Sequence, residues 1–123
     1  MRILVVEDNQ DAADSLQMLL ELSGHQVEVA YAAREALETA RRFRPDVALC
    51  DITLPGGMDG HDLARALRQA EETAAACLIA LSGYGQEEDL HRSREAGFDR
   101  HLVKPVEPAL LEKILSTLPR LQA

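Results

Sequence analysis

The chain has 123 residues, 46% of them hydrophobic and 28% charged, with 13 basic against 21 acidic side chains and a formal net charge of −8. That composition describes one globular domain, large enough to bury a core without disulfides or a structural metal. The acidic balance, with 3% aromatics and no Trp, argues against direct nucleic-acid binding, because phosphate backbones repel it and single strands find no stacking platform. The longest apolar run, Ala74 to Leu81, is eight residues, against roughly 18 for a membrane span. Glu7 and Asp8 interrupt the first apolar run too early for a secretory signal. Cys50 and Cys77 sit inside apolar runs and read as buried free thiols in a reducing compartment, which predicts a cytoplasmic protein.

In chain order, Ile3 to Val6 forms a first short apolar run, ending in Glu7-Asp8. Ala12/Ala13, Leu16, Leu19/Leu20 and Ser23 then recur at helical spacing, with Asp11 and Asp14 as the expected start and Gly24 as the stop. Val27 to Ala30 is a second run. Ala33, Ala36/Leu37, Ala40 and Phe43 make a second helical stripe, closed by Pro45. The cluster Arg41, Arg42, Arg44 reads as its solvated end. Val47 to Cys50 leads to Asp51, and Leu63, Ala66/Leu67 and Ala70 form a third stripe. Cys77 to Leu81 leads to Ser82. The next helix, about Gln86 to Ala96, is apolar at Leu90 and Ala96 and charged at Glu87, Glu88, Asp89, Arg92, Arg94 and Glu95, so it is expected to be the least anchored. His101 to Val103 is the last run, ending in Lys104-Pro105. Pro108 opens a final helix with Leu110/Leu111, Ile114 and Leu118, closed by Pro119.

Short apolar runs alternating five times with helical stripes predict an α/β fold: a five-stranded parallel sheet, order 2-1-3-4-5, with helices on both faces, the flavodoxin-like (βα)5 arrangement. Ligands in such sheets sit at the carboxyl ends of the strands, near the switch point between the first and third. At that rim the sequence places Glu7-Asp8, Asp51, Ser82 and Lys104. Any one of them alone is an ordinary loop residue. Together they bring carboxylates from two neighbouring strands, a hydroxyl and an ammonium to one place. Two carboxylates held near 4 Å repel by about 4 kcal/mol at an effective dielectric of 20. Lys104 offsets part of that, and the all-oxygen set suits Mg²⁺ for the rest. Such a group can take a phosphoryl group onto a carboxylate as an acyl phosphate.

The segments MRILVVEDN, LCDITLPGGMDG, IALSGYG and HLVKPV, in this order, resemble the receiver domain of two-component response regulators over essentially all of residues 1–123. The resemblance implies Asp51 as phosphoacceptor and Mg²⁺ held by Asp8, Glu7, Asp51 and the backbone carbonyl of Thr53. It further implies Ser82 as switch hydroxyl, Lys104 paired with the phosphoryl group, and a cis Lys104-Pro105 bond. Glu7 is the longer acidic residue and is expected to reach the metal through water. The loop Pro55-Gly56-Gly57-Met58-Asp59-Gly60 looks one residue longer than the common form. His101 stands where many relatives carry a switching aromatic. It reads first as a polar replacement without consequence, and alternatively as a pH-sensitive switch. His25, His61 and His91 lack metal-ligand spacing and are expected at the surface. Thr53 and Tyr84 flank the site where water access is set.

The expected function is a phosphorylation switch, not an enzyme in its own right although it promotes its own phosphorylation and dephosphorylation. A histidine kinase or histidine phosphotransfer protein would be the donor, and helix 4, strand 5 and helix 5 would form the surface presented to a downstream protein. No membrane or nucleic-acid partner is expected. Two alternatives carry weight: a Mg²⁺-dependent aspartyl-phosphate phosphatase, and a relay receiver cut from a hybrid histidine kinase. The phosphatase would need a second acid where Thr53 stands. A flavin module would need a phosphate loop where Glu7-Asp8 stands.

Overall fold

The computed structural model describes residues 1–83 and 87–118. Five strands, Arg2–Val6 (β1), Gln26–Ala30 (β2), Val47–Asp51 (β3), Cys77–Ser82 (β4) and Arg100–Val103 (β5), alternate with five helices. The helices are Gln10–Leu22 (α1), Ala33–Phe43 (α2), Gly60–Gln69 (α3), Glu87–Ala96 (α4) and Pro108–Ser116 (α5). All strand pairings are parallel, in the order β2-β1-β3-β4-β5. The expected stop at Pro119 and the positions of Tyr84 and Gln86 lie outside the described residues. No described helix is long and apolar enough to cross a membrane.

Strand alternation divides the core into two layers. Ile3, Val5, Val47, Leu49, Cys77 and Ile79 face one side and pack with Leu20 of α1 and Leu111 and Leu115 of α5. Leu4, Val6, Ala48, Cys50, Leu78 and Ala80 face the other, beneath α2, α3 and α4. The α2 contribution to that layer is Ala33, Ala36 and Ala40, small side chains that let the helix axis lie close to the sheet. β3 and β4 are buried throughout. β2 and β5, expected to be covered on both faces, are half-exposed, because each sits at an edge and has one strand neighbour.

The helix ends differ in places from the sequence reading. α1 starts at Gln10, not around Asp11. Asn9 is the cap, its side-chain oxygen accepting from the Ala12 amide at 3.0 Å, and Asp11 lies in the first turn, where its charge complements the helix dipole. α3 opens with a capping box between Asp59 and Asp62. α5 begins at Pro108 and ends at Ser116, so Leu118, though buried, lies beyond it, and Leu110 is exposed. α4 is as weakly anchored as expected, but its buried residues are Ser93 and Ala96, with Leu90 half-buried. Both cysteines are free and buried.

Candidate functional site

Register brings the acidic groups together. Val6 of β1 pairs with Cys50 of β3, so Glu7 and Asp51 leave adjacent strands at the same level. Glu7, Asp8 and Asp51 each offer a carboxylate oxygen within 4.8 Å of the others. Glu7 and Asp51 are both 5% exposed, whereas Asp8 is open to solvent. Lys104, beyond the end of β5, reaches back so that its Nζ donates to Glu7 Oε1 and to Asp51 Oδ2, both at 2.8 Å. The Lys104-Pro105 bond is cis. Glu7 Oε2 also accepts from the Asn9 amide at 3.2 Å. Glu7 is therefore the buried partner of Lys104, a role its expected contact through water did not include.

Asp51 is fixed on both oxygens. Its Oδ1 accepts from the Thr53 amide at 3.0 Å, which turns the chain at the start of the β3–α3 loop. That loop crosses Gly56 and Gly57 at φ +92° and +84°, a left-handed pair that glycine adopts without strain. It closes where the Gly60 amide donates to the Ile52 carbonyl at 2.8 Å. A Cβ on Gly60 would stand 2.4 Å from the Asp51 carbonyl oxygen and 2.5 Å from Ile52 Cα. α3 is thus docked directly against the backbone of the acidic residue, and a side chain at position 60 would prise them apart. The sequence reading placed Gly60 at the end of the loop, whereas it is the first residue of α3. The available signal was a glycine inside the first turn of a helix, where it costs about 1 kcal/mol relative to Ala.

Ser82, 5% exposed, ends β4, and its carbonyl accepts from the Lys104 amide at 2.7 Å. Ser82 and Thr53 line a cleft of about 480 Å³ between α3 and α4, with Asp59, His61, Asp89 and Arg92 on its other walls. His61 corrects an expectation: at 9% exposure it is buried, not superficial, with its ring edge-on to Phe98 at 6.4 Å between centroids. His25 is also largely covered, 3.6 Å from Glu112, while His91 is exposed beside Glu95. His101 Nδ1 lies 2.8 Å from Ser93 Oγ on α4.

The electrostatics follow from burial and pairing. Desolvation draws the Lys104 ammonium down, but its hydrogen bonds and charge contacts with Asp51 and Glu7 outweigh this and raise it above its ordinary value. Burial, reinforced by the Asp51 charge, pushes the Cys50 thiol up to about 12, which leaves it protonated and inert. Burial lowers His61, and Arg92 and Arg65 add to the effect against the opposing pull of Asp59. Partial burial pushes Asp59 up, but the Asp62 amide and the His61 charge outweigh it and hold its carboxyl below the usual aspartate value. One ammonium faces three clustered carboxylates, which leaves negative charge for a cation to balance. The donors are hard oxygens, partly buried and partly open to water, a set that fits Mg²⁺ and offers no nitrogen or sulfur to a softer metal.

A doubly wound sheet with a carboxylate cluster where β1 and β3 end, reached by a lysine from beyond β5, points to a signalling domain of the receiver class. Residues 3–116 match the response regulator receiver domain, and the chain belongs to that family, whose members act as phosphorylation-dependent signalling switches. It is 34% identical over 117 residues to protein PilH of Pseudomonas aeruginosa, covering 95% of this chain and 96% of that one. The chemotaxis protein CheY4 of Vibrio cholerae superposes with a TM-score of 0.88 at 28% identity, over 95% of this chain and 98% of the other. The receiver domain of a sensor histidine kinase from Pseudomonas aeruginosa, solved with magnesium coordinated in its active-site cleft, gives a TM-score of 0.85 at 31% identity, over 94% and 93%.

Proposed function

We propose that residues 1–123 form one cytoplasmic receiver domain in which Asp51 is the phosphoacceptor. The observation that carries this is the double contact of Lys104 Nζ with Asp51 and Glu7 inside the Glu7/Asp8/Asp51 cluster. An Asp51 carboxylate oxygen attacks the phosphorus of a phosphohistidine on a histidine kinase or phosphotransfer protein. The P–O bond forms as the P–N bond breaks, and the imidazole leaves with a proton from solvent. Glu7, Asp8, Asp51 and the Thr53 carbonyl would hold Mg²⁺, which supplies charge neutralisation on the transferred group. Lys104 pairs with one phosphoryl oxygen, and Ser82, beside the same cleft, binds another.

Thr53 gives its amide to Asp51 and has no acid to offer a leaving group, so the domain is a switch rather than a phosphatase with external substrates. The same site promotes gain and loss of its own phosphoryl group. The changed surface is formed by α4, β5 and α5, which a downstream protein reads. Incubation with acetyl phosphate and Mg²⁺ followed by intact mass should show one added phosphoryl group in the wild type and none in Asp51→Asn. Equal labelling of both would overturn the assignment.

A further inference from the structure

At the entry ends of β4 and β5, opposite the end that carries Lys104, one guanidinium gathers two chain connections. Arg68, in the last turn of α3, donates through Nη1 to the Ala74 and Ala76 carbonyls at 3.0 and 2.6 Å, just before β4. Through Nε it donates to the Gly97 carbonyl at 2.9 Å, just before β5. Gly97 has φ +115°, and a Cβ there would stand 2.8 Å from Arg68 Cγ, so this turn is closed onto the arginine stem. Nη2 donates to Asp99 Oδ2 at 2.7 Å. The same oxygen accepts from the Leu78 amide at 2.9 Å, while the Asp99 amide donates to the Leu78 carbonyl at 2.7 Å. Asp99 thus engages both backbone groups of Leu78 on β4, immediately before β5 begins.

β5 has little else to fix its level. It is four residues long, has β4 as its one strand neighbour and fully buries Leu102 alone, with Arg100 and Val103 exposed. Hydrophobic pattern specifies the register of such a strand weakly. Lys104 nevertheless arrives at a defined level: its amide donates to the Ser82 carbonyl at 2.7 Å, and its Nζ reaches Glu7 and Asp51 at 2.8 Å. A slip of one residue would turn Leu102 to the other face of the sheet. A slip of two, about 6.6 Å along the strand, would carry the ammonium out of reach of both carboxylates. We propose that Arg68 and Asp99 are positioning residues for Lys104. They set the level at which β5 starts on β4, and the strand passes that level on to the ammonium at the carboxylate site. The effect on phosphoryl transfer rests on the reading of Asp51 as phosphoacceptor, whereas the placement of the ammonium belongs to the resting domain.

The test uses the full chain without Mg²⁺ or phosphodonor, with Lys104 ammonium hydrogen exchange and cross-strand NOEs read by NMR. Asp99→Ala should speed exchange at the ammonium by about tenfold, the order expected for losing a charge-assisted hydrogen bond that holds the register. NOEs between β4 and β5 should weaken while those between β1 and β3 stay. Asp99→Asn keeps an oxygen for the Leu78 amide and should return both readouts towards wild type. Arg68→Met keeps a stem beside Gly97 without the guanidinium and should act as Asp99→Ala does, so the test stands if Asp99→Ala fails to fold. A residue that only adds stability would leave the ammonium of the folded fraction where it was. Unchanged Lys104 exchange in either folded variant, or Asp99→Asn behaving as Asp99→Ala, would therefore overturn the proposal. With acetyl phosphate and Mg²⁺, the same variants should slow labelling in the wild-type background and add nothing in Lys104→Ala. Equal slowing in both backgrounds overturns positioning through Lys104, and so does a weaker Kd for Mg²⁺, which would trace the loss to the carboxylates. If the wild type gains no phosphoryl group, the acceptor reading fails, and the ammonium exchange alone decides the placement of Lys104.

Discussion

Asp8→Asn should raise stability without metal and abolish the stabilisation that metal brings. Asp8 places a carboxylate oxygen within 4.8 Å of oxygens of Glu7 and Asp51. At that separation each like-charge pair costs about 3.5 kcal/mol at an effective dielectric of 20. Asp8 is exposed, so solvent screens most of this, and the Lys104 ammonium between Glu7 and Asp51 offsets part of the remainder. A net relief of about 1 kcal/mol is left, worth about 4 °C in Tm for a domain of this size. In Mg²⁺ at a hundred times its Kd, the wild type should gain about 2.7 kcal/mol from binding, whereas the variant, short of one anionic ligand, should gain little. Thermal unfolding in chelator and in Mg²⁺ reads both arms. A lower Tm for Asp8→Asn in chelator, or equal Mg²⁺ shifts for the two proteins, would refute the reasoning.

Gly60→Ala forces a methyl group against the Asp51 carbonyl and Ile52 Cα, backbone atoms that cannot rotate away. It should cost about 3 kcal/mol in urea unfolding and slow acetyl phosphate labelling of the folded fraction; a cost under about 0.5 kcal/mol would show that α3 is not docked there. Asp59→Ala removes the α3 cap and should cost about 1 kcal/mol at pH 7. Because the folded-state carboxyl of Asp59 is held below its ordinary 3.8, its contribution is complete above that value and disappears as pH falls through the lower folded one. The wild-type advantage should therefore shrink below about pH 3.8, and an advantage that is the same at pH 7 and at pH 2.5 would contradict it.

The strands were legible because buried parallel strands are nearly continuous apolar runs, and the polar residues that follow those runs, Glu7, Asp51, Ser82 and Lys104, marked the rim. Less legible were features set by three-dimensional proximity. Asn9 outcompeted Asp11 as the α1 cap because its oxygen stands one residue before the first helical turn, and sequence alone offers three acceptable capping residues within six positions. Glu7 was read as a metal contact through water, and the sequence did not show that it also accepts from Lys104. His61 was read as a surface residue because it has no metal-ligand spacing, while here its ring packs edge-on to Phe98, 37 positions later. Ser93 gave no signal, since its partner lies on a strand whose facing side is known only after folding.

The two sheet borders carry a consequence for the molecule among its own copies. β2 holds Glu28 at its centre, paired with Arg42 at 2.9 Å, and β5 is four residues long with Arg100 exposed at its start. An open border of backbone amides and carbonyls invites a neighbouring chain to add a strand, and a charge placed on it, or brevity, discourages the addition. Each border is therefore a poor site for strand addition by a second copy of this chain.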